Sequence, residues 1–393
     1  MEQDLSQLLA KLPEYERAVR TMNEIILANL VLLSEIPAPT FEEAERRQFV
    51  LDRFIEFELD NVSTDQVGNA LGIIKGSGGE RSILVVAHLD TPFDRSIDHT
   101  VSVAPNTIVG AGVGDDSLGL AALVSLPLLL KQLGLTFKSD LILMASVRSL
   151  GRGDIEGLRF FLDNRSMAIN SGVCVEGVRL GRLSYASIGM LRGEIQYRIP
   201  AEYDWTRFGA GGAIVNITDV INRILELPLP RRPRTSIVFN RIEAGGPFNT
   251  TPSEATLQFE VRSESEAIVR RIERDLANIT AETASQTGAD VELSVLSRRR
   301  PGGLPFADPL ASLAREIMTA LDVQPRITPS TSELSAFIDQ RIPAVTIGLT
   351  VGDHYNEEHE QLEIEPIGKG LAQLVGLLVA MDEGLTDEPE RVA

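Results

Sequence analysis

A chain of 393 residues with 43% hydrophobic side chains is long enough for two or three domains and can bury a sizeable core. Its 56 acidic residues against 37 basic ones give a net charge of −19, which argues against nucleic acid and against anionic membrane surfaces as partners. Met1-Glu2-Gln3-Asp4 lacks the basic start and apolar core of a signal peptide, Leu118 to Leu130 is too short to span a bilayer, and a single cysteine excludes an internal disulfide, so a reducing, cytoplasmic setting is expected.

Apolar residues recur at helical spacing over about 14–34. Pro37 and Pro39 break the run, and Thr40-Phe41-Glu42-Glu43 opens another helix in the form of a capping box. Strand-like runs follow at 70–74, 82–87, 139–146 and 171–176, separated by helical stretches at 117–133 and 155–163. This alternation predicts an α/β fold built on a helix-covered, mostly parallel sheet. Cys174 sits between valines on one of those strands, where a buried, inert thiol is expected rather than a nucleophile.

The pattern changes after Gly189. Leu191 to Ile199 alternates like a strand with one exposed face, and a helix at about 211–226 is ended by Pro228 and Pro230. Strands at 235–243 and 255–262, a helix at 264–282 and a strand at 290–297 complete a β-α-β-β-α-β order, the split ferredoxin-like pattern. Arg300-Pro301-Gly302-Gly303 ends it, and a helix at 307–321 and the strand Ala344–Gly348 resume the first style. The economical reading is a discontinuous domain, 1–188 with 300–393, interrupted by an α+β domain at 189–299.

The chemistry-bearing residues lie at strand ends. The apolar run from Val85 delivers His88 and Asp90, two apart and therefore on one side of the strand. Alone, this pair reads as readily as a structural histidine beside a carboxylate. Gly112-Val113-Gly114-Asp115-Asp116-Ser117 strengthens the metal reading: the glycines let the backbone turn, Asp115 can ligate, and Asp116 can at least cap the next helix. Glu176 ends another strand at the same topological edge, beside a glycine.

Several segments in combination resemble the zinc exopeptidase superfamily of aminoacylase, peptidase T and the succinyl-diaminopimelate desuccinylases. They are Ile36-Pro37-Ala38-Pro39-Thr40, VVAHLDTPF from Val85, GAGVGDDSLG from Gly110, Glu176-Gly177, Gly245-Gly246 with Asn249, Val261-Arg262-Ser263, and Glu363-Ile364-Glu365-Pro366-Ile367. The resemblance covers nearly the whole chain and implies that the inserted domain is a lid and dimerisation domain, hence a homodimer. It implies a first metal site at His88, Asp115 and Glu176, with Asp115 bridging to a second and Asp90 orienting His88. It also implies that Asn249 and Arg262 meet substrate, although Arg262 reads equally well as a structural ion-pair residue.

Three departures from that pattern follow. The family's general base and its neighbouring metal ligand, a Glu-Glu pair, fall at Ser149 and Leu150. Its lid histidine falls at Tyr203. Its C-terminal histidine falls at Asn356, and His354 replaces it only if the loop shifts by two residues. Leucine cannot ligate, and serine cannot take a proton from water near neutral pH. The expectation is at most one tightly bound zinc and little or no amide hydrolysis, in a protein that acts as a binding or regulatory subunit. The alternative is an active zinc-dependent amidohydrolase cleaving small peptides or N-acyl amino acids, with Asp116, Asp154, Glu156 or Glu357 as substitute base. Arg148 and Arg152 also enter the Ser149 loop; they either set a guanidinium near the carboxylates of an absent cation or point to solvent.

Overall fold

The computed structural model describes residues 2–78, 81–200, 212–248 and 250–387. It comprises two compact units, Met1–Ala186 with Gly303–Ala393, and Ser187–Gly302.

The larger unit is built on an eight-stranded sheet in the order Asp60–Thr64, Ala70–Ile74, Asp140–Ser146, Ser82–His88, Ser171–Val178, Ala344–Thr350, Arg182–Ser184, Arg326–Ile327. The four central strands, Asp140–Ser146 to Ala344–Thr350, are parallel, so their C-terminal ends share one edge. They are buried on both faces, which is why they read as continuous apolar runs. Alternation still sorts the side chains: Ile83, Val85 and Ala87 join the core on one face, while Leu84 and Val86 join the core on the other. Cys174 is buried in that second core, and burial pushes its thiol pKa well above the ordinary value.

Two local expectations are corrected. The helix after Pro39 begins at Ala44 without a side-chain cap. Thr40 instead donates to Asp90, and Glu43 accepts the amides of Phe41 and Arg148, so both residues of the expected capping box tie loops together. The apolar stretch around Leu118 extends over Val113–Gln132, long enough by length and composition to cross a bilayer, yet 83% of its most apolar window is buried inside the fold. Its hydrophobicity on all sides is that of a helix packed within a core.

The smaller unit carries a four-stranded antiparallel sheet in the order Thr235–Ala244, Glu254–Ser263, Gly189–Arg198, Asp290–Arg299, with helices Gly212–Leu225 and Glu266–Thr287. This is the ferredoxin-like split arrangement. Gly189–Arg198 is a central strand and more buried than its alternation suggested: neighbouring strands cover it on both edges, and Glu194 accepts from Gln258 of one of them.

One buried cation ties the larger unit together. Arg46, on the helix Ala44–Glu56, donates to the main-chain oxygens of Leu33 and Leu89 and to Ser117 Oγ, at 2.7 to 3.0 Å. Burial lowers its pKa to about 10 against the pull of Asp116 and Asp90, so it stays charged at neutral pH. Arg46→Met keeps much of the bulk but strands those carbonyls in the core. It is expected to lower the unfolding free energy by about 3 kcal/mol in urea titration. A loss below about 1 kcal/mol would rule out a structural tie.

Candidate functional site

The common edge of the parallel strands gathers the predicted residues. His88 ends its strand, and its Nδ1 donates to the main-chain oxygen of Asp90 at 2.8 Å. That leaves Nε2 facing Asp115 Oδ1 at 2.9 Å. Burial pushes the imidazole pKa down, but the hydrogen bonds to Asp115 and Asp90 and the charges of Asp116 and Asp115 outweigh it, and the pKa stands well above 6.5.

Asp90 turns its carboxylate mainly to the loop after Ser146. Oδ1 accepts the amide of Ser149 at 3.0 Å, and Oδ2 accepts the amide of Leu150 at 2.8 Å and the hydroxyl of Thr40 at 2.8 Å. Its contact with His88 Nδ1 is the longer one, at 3.4 Å. Asp116 is fully buried; its two oxygens accept the amides of His88 and Gly177 and tie the two neighbouring strands at their ends. Burial pushes its carboxyl pKa well up, whereas Asp115 is held low against burial by its bond to His88, the His88 charge and Arg182.

Glu176 has another partner, one the sequence reading did not identify. Arg182 NH1 lies 3.1 Å from Glu176 Oε2, and Ser332 Oγ donates to Oε1 at 3.1 Å. Arg182 follows a turn in which Gly181 has φ of 90°. A Cβ on Gly348 would come within 2.4 Å of the carbonyl oxygens of Val178 and Arg179, so this turn can fold over the strand only where residue 348 is glycine. Gly181 and Gly348 were the available signals, but nothing in spacing alone says which arginine such a turn delivers. Arg148 pairs with Glu156 at 2.9 Å and lies over the Phe41 ring, and Arg152 is exposed.

As placed here, His88, Asp115 and Glu176 are turned to partners within the chain, and their ligand atoms do not all gather within 4.8 Å of one another. Zinc bonds near 2 Å draw ligand atoms to within a few ångströms of one another. Among the described residues the one group of three His, Cys, Asp or Glu side chains whose ligand atoms all lie within 4.8 Å is His354, Glu357 and His359. All three are exposed: Glu357 Oε2 is 3.3 Å from His354 Nδ1 and 3.1 Å from His359 Nε2. His354 is therefore placed with Glu357 and His359.

Ser149 is buried, with its hydroxyl 3.3 Å from that of Ser146, and Leu150 offers only its backbone to Asp90. The substitute bases considered for hydrolysis are all engaged: Asp116 by two amides, Asp154 by Arg159, Glu156 by Arg148, and Glu357 by the two histidines. Glu360 was not singled out as a candidate from the sequence. Burial raises its pKa to about 7, Gly114 donates to its Oε2 at 2.9 Å, and it is fully buried. In the smaller unit, Arg262 pairs with Glu260 through its Nε. Asn249 and Tyr203 lie outside the described residues.

Comparison with known proteins points one way. The family description "Peptidase dimerisation domain" matches residues 207–288. A tripeptidase from Staphylococcus aureus superimposes with a TM-score of 0.73 at 18% identity, covering 92% of this chain and 99% of that one. The dipeptidase Dug1p from Saccharomyces cerevisiae gives 0.75 at 12%, covering 96% and 99%. The Bacillus subtilis YXEP protein, a dinuclear metal-binding peptidase of the M20 family, gives 0.66 at 16%, covering 93% and 99%. No curated protein sequence matches significantly. At these identities the likeness establishes the fold.

Two outcomes follow from the geometry. Asn has one carbonyl oxygen where Asp90 has two acceptors, so Asp90→Asn leaves at least one loop amide unpaired; a loss of about 2 kcal/mol in urea titration is expected, with faster amide exchange at Ser149 and Leu150. For Glu360, a folded pKa above the unfolded 4.5 means the native state binds the proton more tightly, so stability falls as pH rises from 4.5 to about 7. Glu360→Gln should lose that fall, and parallel urea midpoints for the two proteins across this window would refute it.

Proposed function

Starting from a chain with the M20-peptidase fold, we propose that it is a non-hydrolytic homologue, a homodimer formed through the unit Ser187–Gly302 that binds a small peptide-like or N-acyl amino acid ligand. The observation that carries this reading is the loop at Ser149 and Leu150. Where the family would place a general base and a metal ligand, this chain presents two backbone amides to Asp90. A missing base alone costs about 10²–10⁴ in rate, and the loss of a metal adds to it. The exposed His354, Glu357 and His359 cluster supports at most one weakly held ion. The dimer rests on the family match over 207–288, whose description is a dimerisation domain. An active amidohydrolase would need a base that this geometry leaves free, and each candidate considered above is engaged or buried.

Two measurements test the reading. No appreciable cleavage of di- or tripeptides or N-acyl amino acids is expected with zinc, cobalt or manganese supplied. Robust turnover that His88→Ala abolishes would overturn the reading and promote the amidohydrolase. Sedimentation at micromolar concentration should give a dimer, and a monomer there would count against the assembly.

A further inference from the structure

A carboxylate inside a fold must be protonated, hydrogen-bonded or matched by a cation. In a metal centre the ion supplies that match. Here Glu176 is matched from within the chain: Oε2 by the Arg182 guanidinium and Oε1 by Ser332. The ion pair is largely shielded, with side-chain exposures of 23% for Arg182 and 10% for Glu176. The Arg182 charge also acts on Asp115 and on the buried Glu333. Asp115 Oδ1 has its own partner in His88 Nε2 at 2.9 Å.

The delivery is structural. Arg182 starts a strand paired antiparallel to Ala344–Thr350, while Glu176 lies on the strand paired parallel on the other side, opposite Gly348. Between the two strands, the turn is fixed by the Leu180 amide on Thr350 and the Arg182 amide on Arg179, both at 2.8 Å. A guanidinium does not lose its proton in this pH range, so the compensation is permanent.

We propose that Arg182 is a tethered cation that stands in for the metal ion: it matches Glu176 and closes the buried site to zinc. The inference rests on the non-hydrolytic reading but fails separately from it. Tight zinc without turnover overturns the tethered cation and leaves that reading standing; turnover by a zinc-free chain does the reverse.

The test uses the full chain carrying His354→Ala and His359→Ala, so that the exposed cluster takes no ion. The protein is stripped with EDTA, titrated with zinc against a competing chelator, and assayed by elemental analysis and thermal melting. With Arg182 present, no tight zinc and no zinc-dependent shift in Tm are expected. Arg182→Met should raise zinc affinity by about a hundredfold or more, since zinc no longer has to displace an ion pair. It should take up one zinc per chain, with a Tm that rises on zinc addition, and further His88→Ala should abolish both. Arg182→Lys keeps a positive charge and should stay free of zinc. One tightly held zinc with Arg182 in place, lost on His88→Ala, overturns the proposal. So does a folded Arg182→Met protein as stable as its parent that takes up no zinc. If Arg182→Met does not fold, the titration with Arg182 in place decides alone.

Discussion

Four carboxyl groups, Asp90, Asp115, Asp116 and Glu176, are gathered at one mouth of a parallel sheet, and the surrounding structure compensates their charge. Three of them are buried outright. The compensating groups come from separate parts of the chain: Arg46 from an early helix, His88 from a strand end, and Arg182 from the strand after a tight turn. Backbone amides of His88, Ser149, Leu150 and Gly177 and the hydroxyls of Thr40 and Ser332 donate to them as well. In such an enclosed place the alternatives are costly, because an unpaired buried charge destabilises by several kcal/mol. The fold brings these carboxylates together at one sheet edge, and Arg46, His88 and Arg182 are the cations it sets among them.

The Ser149 loop is the second consequence. Asp90 belongs, by resemblance, beside the histidine, yet its shortest bonds run to Thr40 and to two loop amides. It thereby joins the turn after Ile36, the end of the strand Ser82–His88 and the segment after Ser146. The loop is held from beneath through the backbone amides of Ser149 and Leu150, which any residue but proline supplies. Those bonds are the same whatever side chains stand at 149 and 150, the two positions where the resemblance implies a base and a metal ligand.

The smaller unit shows the same separation of fold from chemistry. Its core of Leu191, Ile195, Phe259, Ile272 and their neighbours is complete in itself. Arg262, expected to meet substrate, pairs with Glu260 on its own strand. Its sheet and two helices share that one core, and the dimerisation-domain match falls within this unit.

The sequence by itself determined the elements and their order. The strand at 70–74, the buried strands ending at His88 and Ser146, and the β-α-β-β-α-β insert were legible because period-2 and helical patterning are local properties of the chain. It also determined that Ser149 and Leu150 cannot act as base or ligand, since that follows from residue type. Only the tertiary structure decided which groups compensate the buried carboxylates. Thr40 and Glu43 read as a cap but serve as ties, and His354 joins a surface cluster. Among several arginines, Arg182 is the one brought to Glu176, by a turn over Gly348. The physical reason is that charge compensation acts through space between strands distant in sequence, so local patterning carries no record of it.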